Sequence, residues 1–398
     1  LGIDGDQQQK KLTQVMVDAG YLQEGSAEAD SLEAVWQYGN VAIETLLTVP
    51  KAPGSYPLIL YLPSLGEHAS AGQVWRDAWV KSGYAVLSLQ SAAIADALKE
   101  LNAQQLNAEE QDDNEDRDET DPVDANHGWV GSLLGQSAPK RSGVGRASEL
   151  RYLGHQYFSV DALKERVAQL NWVYQQIQLQ QASGQLKKID LSRVILAGYD
   201  LGAQTVAVFA GEKTDPALTV NPSFRPVAAI AISPSVNLAT GQVNSRFKPV
   251  SVPLLVVTGT EDSDPYAVSV ASSRTLLWEY AAAGNKYLLL LNKARHRVLS
   301  GAEFGGRTAP RRAAETELFG QNGSKRQLTA EQHSAGLGGL WPDSGRQNPD
   351  LGYKHVAAVA SVSAAFLDTI VKNDDFARFW LTDKAAGWLK QAGELRLR

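Results

Sequence analysis

Short apolar runs alternate along this chain with stretches in which apolar residues recur every third or fourth position. The runs are Leu58 to Leu62, Tyr84 to Leu89, Val194 to Ala197, Val227 to Ile232, Val252 to Thr258 and Tyr287 to Leu291. Each is bounded by Gly, Pro or polar residues, as buried parallel strands are. Helical spacing marks Gln73 to Ser82, the set Leu163, Val167, Leu170, Val173 and Ile177, then Ala203 to Ala210 and Val268 to Ala283. Val356, Val359, Val362, Phe366 and Ile370 form a further stripe near the end. Near the start, the β-rich segments Val35 to Tyr38 and Val41 to Val49 flank Gly39-Asn40, a hairpin signal. Strand, helix, strand in this order predicts an α/β fold with a mostly parallel sheet flanked by helices.

Two stretches break the rhythm. Residues 91–157 hold a helical start, an acidic run and a Gly/Ser-rich tail; residues 298–353 are rich in Gly, Arg and Gln. Both read as insertions, forming a lid or pocket wall over the carboxyl edge of the sheet. Residues 1–30 are polar with little periodicity and read as a surface extension, leaving 31–398 as one domain.

Composition narrows the function. The chain has 398 residues, 43% of them apolar and 21% charged, enough for a globular core. The net charge of −6 argues against a nucleic-acid surface. Much of that charge is local, because Glu109 to Asp124 carries ten carboxylates against one arginine. Such a run is read as a solvated loop, its partners being Arg307, Arg311, Arg312, Lys325 and Arg326 of the second insertion. No apolar run reaches the ~18 residues of a membrane span. Cysteine is absent, which removes disulfides, Cys-metal sites and a thiol nucleophile. That absence leans towards a secreted or periplasmic protein, a cytoplasmic one being the alternative.

The candidate chemistry centres on Gly198-Tyr199-Asp200-Leu201-Gly202, set between a buried strand and a helix. Strand, G-x-D-x-G, helix is the layout of a nucleophile elbow. The glycines are needed where side chains would collide with neighbouring backbone, and Asp200 stands at the strained tip. Downstream strands run into Asp262, with Asp264 as a nearby substitute, and into His296. Carboxyl ends of parallel strands share one edge, so Asp200, Asp262 and His296 can meet as nucleophile, acid and base. Backbone N–H groups of Leu201 and Leu65 are the expected oxyanion donors. Tyr199, Ser64 and His68 are expected to touch the substrate, and Trp129 and Trp341 to line an acyl pocket.

Beyond the elbow, the chain resembles the dienelactone hydrolase and platelet-activating-factor acetylhydrolase branch of the α/β-hydrolases. The resemblance rests on YPLILYLPSLGE, ALKERVAQLNWVYQQI, IDLSRVILAGYDLGAQT, PLLVVTGTEDSD and AAFLDTIVKNDDFARFWL. It implies an eight-stranded core and hydrolysis of a small-molecule or polymer ester or lactone without a metal or organic cofactor. Members of that branch carry Ser or Cys at the elbow, where this chain has Asp200, and His-Gly where it has Pro63-Ser64. Asp elbows are found in epoxide hydrolases and haloalkane dehalogenases, whose usual Trp after the nucleophile is here Leu201. Three readings follow. One is a hydrolase with Asp200 as carboxylate nucleophile. Another is a catalytically impaired hydrolase-fold binding protein, or one acting through Ser64. The last is a serine esterase whose nucleophile was replaced by Asp.

Overall fold

The computed structural model describes residues 28–101, 142–181, 184–237, 242–302 and 349–398, together with 7, 20–22 and 103. The acidic run, the arginines and lysines of the second insertion, Trp129 and Trp341 lie outside the described residues.

Nine strands form one mixed sheet among the described residues: β1 (Ala29–Tyr38), β2 (Val41–Pro50), β3 (Tyr56–Leu62), β4 (Ala85–Ser91), β5 (Ile189–Tyr199), β6 (Ala228–Ile232), β7 (Leu254–Glu261), β8 (Lys286–Arg295) and β9 (Gly393–Leu397). Their order is β1-β2-β4-β3-β5-β6-β7-β8-β9. The pairings from β4 across to β8 are parallel. Those of β1 with β2, β2 with β4, and β8 with β9 are antiparallel. The Gly39-Asn40 turn closes the β1–β2 hairpin with Tyr38 opposite Val41. The expected count of eight strands is one short, because Gly393–Leu397 pairs on the far edge of β8. That strand is five residues long with Leu395 and Leu397 as its only apolar side chains, so it gives almost no apolar signal.

The longer helices among the described residues are α1 (Gln73–Lys81), α2 (Ser142–Tyr157), α3 (Val160–Gln180), α4 (Leu201–Ala210) and α5 (Pro349–Val371), and all but α2 pack on the two faces of the sheet. On one face, Trp75 and Trp79 of α1 and Val359 and Phe366 of α5 pack on Ile59, Val86, Ile195 and Val257. On the other, the α3 stripe Leu163, Val167, Leu170, Val173 and Ile177 meets Leu58, Leu60, Leu196 and Val256. Ser159 caps α3 by accepting the Ala162 N–H at 3.2 Å. The segment Leu351–Val371 is long and apolar enough to span a membrane by length and composition, and 83% of its most apolar window is buried inside the fold. Residues 20–22 do not simply lie on the surface, because Leu22 is buried and Tyr21 donates to Asp368 beside Trp380.

One expected helix is broken. Val268 to Ala283 begins as loop, makes a 3-10 turn at Ala271–Ser273 and is helical only over Leu276–Tyr280. The Asp264 carboxylate accepts the backbone N–H groups of Tyr266, Val268 and Ser269, which holds this segment in a turn.

The parallel core sends β3, β5, β6, β7 and β8 out at one edge. The residues just past or at those ends include Ser64, Asp200, Ser233, Asp262 and His296. An apolar cluster holding Leu65, Leu98, Leu150, Phe158, Leu201 and Tyr266 adjoins this edge.

Candidate active site

Asp200 links β5 to α4 with φ 49° and ψ −103°, a conformation that non-glycine residues rarely adopt. Its N–H is held by the Ile232 carbonyl at 2.9 Å. The flanking glycines leave no room for a side chain. A Cβ on Gly202 would stand 1.9 Å from the Leu62 carbonyl oxygen, and one on Gly198 would stand 2.5 Å from the Gly202 carbonyl carbon. The strain at Asp200 is therefore imposed by two strands and a helix packed backbone to backbone.

The three residues expected from separate strand ends are together. Asp262 Oδ1 lies 2.6 Å from His296 Nδ1, and His296 Nε2 lies 3.3 Å from Asp200 Oδ2. Ser64 Oγ donates to the same Asp200 oxygen at 3.0 Å. The Ser64 backbone is pinned on both sides: Glu67 Oε1 accepts its N–H at 2.8 Å, and Gln90 Nε2 donates to its carbonyl at 2.9 Å. The Leu201 N–H, expected to face an oxyanion, is directed to Ser64 Oγ at 3.5 Å. Leu65 packs with Leu201 in the neighbouring apolar cluster.

Two residues expected to touch the substrate have partners within the protein. Tyr199 is buried and donates its hydroxyl to the His296 carbonyl at 2.8 Å, so it braces the histidine from within. His68 is half-exposed, with Nδ1 3.0 Å from Glu44, at the surface rather than in the buried cluster.

Four further residues complete the constellation. Arg274, 0% exposed, sends Nη1 to Asp200 Oδ1 at 3.3 Å and to the Ser233 carbonyl at 2.8 Å. Its Nε donates to the Asp262 carbonyl at 2.8 Å, and Nη2 meets Asp264 Oδ2 at 3.0 Å. Asp264, the alternative to Asp262 as the acid, is thus a partner of Arg274. Ser233, at φ 51°, donates to Asp262 Oδ1 at 2.8 Å with His296 Nδ1 2.7 Å away. Thr258 donates to the other Asp262 oxygen at 2.7 Å. Behind the elbow, Arg166 donates to the Leu201 carbonyl at 2.8 Å and to Thr205 Oγ1 at 2.7 Å.

No family model matches the chain, and no curated protein sequence matches it.

Burial alone would discharge these groups, so the pairing decides their state. Burial raises the carboxyl of Asp200, but His296, Arg274 and the Ser64 hydroxyl outweigh it and hold it below the ordinary range. Asp262 is also opposed by burial and is drawn down to about 2 by Arg274, His296 and Thr258. Burial and Arg274 disfavour the imidazolium, yet Asp200 and Asp262 raise His296 to about 9. Desolvation pushes Glu67 up to about 7, with Asp200 adding to the rise. At neutral pH the centre is two carboxylates around an imidazolium, closed by a guanidinium. Among the described residues, no group of three or more His, Asp or Glu side chains is arranged to hold a metal ion.

This charge state has a pH consequence. A group raised from 6.5 to about 9 contributes stability that is complete below 6.5 and is lost as the pH climbs through 9. In an imidazole NMR titration, His296 will titrate near 9, and Asp200→Asn will bring it back towards 6.5. Titration near 6.5 in both proteins would show that Asp200 does not hold the proton on His296.

Proposed function

We propose that this chain is an α/β-hydrolase acting on carboxylic esters or related electrophiles, with Asp200 as a carboxylate nucleophile. The observation that carries the reading is the contact of Asp200 Oδ2 with His296 Nε2 at 3.3 Å while Asp262 holds Nδ1 at 2.6 Å. Nucleophile and base are in reach, and a third group orients the base.

The protonated resting state fits this nucleophile. A serine would need a neutral His296 to take its proton, but ionised Asp200 needs no base for attack. In the first step an Asp200 oxygen forms a bond to the acyl carbon. The bond to the leaving oxygen breaks, and the His296 imidazolium supplies that oxygen with its proton. The products are an acyl-Asp200 anhydride, an alcohol and neutral His296. Acylation also removes the anion that raised His296, so its affinity for a proton falls only once the intermediate exists. In the second step neutral His296 takes a proton from water as the water oxygen bonds to the anhydride. The anhydride C–O bond breaks, freeing the acid and restoring the Asp200 carboxylate. One proton returns to His296 and one leaves with the product. The imidazolium favours oxygen leaving groups, as in esters, lactones and epoxides, over halides, which need no proton.

A second reading has one observation in its favour. Ser64 Oγ donates to Asp200 Oδ2 at 3.0 Å, so Ser64 has a carboxylate partner of its own. The lowered proton affinity of Asp200 makes it a weak base for that hydroxyl, and the first reading is preferred. Ser64→Ala separates them on a panel of activated short-chain esters. If Asp200 attacks, the variant loses one donor and falls by about 10²–10³-fold at most in kcat. Loss of all turnover above the uncatalysed rate, with the fold intact, would assign the attack to Ser64.

A further inference from the structure

On the side of the molecule where α3 faces the β1–β2 hairpin, a cavity of about 470 Å³ opens. Its volume falls within the range of small-molecule sites. One wall is a stripe of α3 holding Lys164, Ala168, Trp172 and Gln175; Tyr38 from the hairpin and Leu218 from the loop after α4 add to the lining. Ala168 keeps the middle of the helical wall shallow.

The walls are held by contacts within the protein. Asn171 ties the helix to the loop, donating to the Thr219 carbonyl at 2.9 Å and accepting the Asn221 N–H at 2.8 Å. Further along, Phe224 stacks on Tyr174 with ring centres 4.3 Å apart. The hairpin is tied to the helix by Trp172, which lies 5.3 Å from the Tyr38 ring and 6.4 Å from Trp36.

The chemistry of the lining is one-sided. Among the described residues, Lys164 is the one charged residue in the lining, and no carboxylate pairs with it. The Trp172 indole N–H and the Tyr38 hydroxyl have no hydrogen-bond partner among the described residues, and neither has the Gln175 amide. Aromatic rings offer faces for a flat or chair-shaped ring, and the indole N–H and the ammonium offer donors and a positive charge.

We infer that this cavity is a second binding site for a carboxylate carried on a six-membered ring, with Trp172 and Tyr38 against the ring and Lys164 on the carboxylate. The inference is independent of what Asp200 does. Ring acids of this kind come from two sources, aromatic acids and sugar acids, and both present the same chemistry.

Equilibrium dialysis or ligand-observed NMR on the full chain tests it, using benzoate and galacturonate as probes. Benzyl alcohol and galactose serve as matched rings without the carboxylate. At least one acid binds saturably, and its neutral partner binds more weakly. Lys164→Gln, at an exposed position, weakens that acid by about tenfold, the scale of one charge-assisted hydrogen bond. Trp172→Ala abolishes binding, and Lys164→Gln carries the test alone if the tryptophan variant does not fold. Binding of benzoate alone identifies an aromatic-acid site, and binding of galacturonate alone a sugar-acid site. No saturable binding of either acid overturns the inference. So does binding that is unchanged in both variants, since the probe would then sit elsewhere, the Asp200 centre included.

Discussion

Replacing His296 by Gln will leave an acyl group on Asp200. With an activated ester the leaving group departs without help, so the first step survives the loss of the imidazolium. Arg274 still pairs with Asp200 and keeps it ionised. The second step loses its base, and general-base catalysis is worth about 10²–10⁴-fold. Turnover will fall by that order while the first step runs once per enzyme molecule. Acid quenching followed by mass spectrometry will find the added mass on the peptide that contains Asp200. Asp200→Asn combined with His296→Gln will show none. If the single variant never acquires the adduct, or acquires it on Ser64, then Asp200 is not the attacking group.

Arg274→Met will be among the most destabilising single substitutions in the chain. It leaves Asp200, Asp262 and Asp264, all buried, without the guanidinium that touches each of them. Removing one partner of a buried ion pair costs about 3–5 kcal/mol. The deficit has a defined pH dependence. In the parent, Asp262 is held down to about 2, so its contribution is complete above the ordinary 3.8 and lost as the pH falls through 2. Without Arg274 the carboxylates take up protons at higher pH, so parent and variant converge as the solution is acidified. Denaturant unfolding at neutral and mildly acidic pH will show the gap and its narrowing. A gap of under 1 kcal/mol at neutral pH would mean that Arg274 is not the main counter-ion of the cluster.

The sheet and the centre of the site were legible because each depended on a local rule. Gly39-Asn40 fixed the hairpin, and the two glycines around Asp200 marked a turn that tolerates no side chain. Asp262 and His296 were readable as residues where apolar strands stop, and a parallel sheet gathers such ends at one edge. Ser233 and Arg274 follow no such rule. Ser233 sits in a short Ser-Pro turn after β6, and Arg274 stands in what reads as an ordinary helix. Its role comes from three carboxylates reached through space, a relation that no sequence spacing encodes. The same network bends the chain away from the expected helix, since Asp264 captures three backbone N–H groups first. His68 was readable only as a polar side chain in the loop after β3; its pairing with Glu44 at the surface comes from β2, a contact made through space.

The measurement that bears most directly on the account is a single turnover in water labelled with heavy oxygen. Excess enzyme is mixed with an activated ester, and the peptide containing Asp200 is weighed after proteolysis. If Asp200 attacks and the water then strikes its own carboxyl carbon, one heavy oxygen enters Asp200. If the water strikes the substrate carbonyl, the label goes to the released acid, and repeating the experiment with an epoxide forces it into Asp200. Label in Asp200 with either substrate is the predicted result. Turnover of both substrates with unlabelled Asp200 would contradict a covalent carboxylate intermediate and move the attack to Ser64 or to water itself.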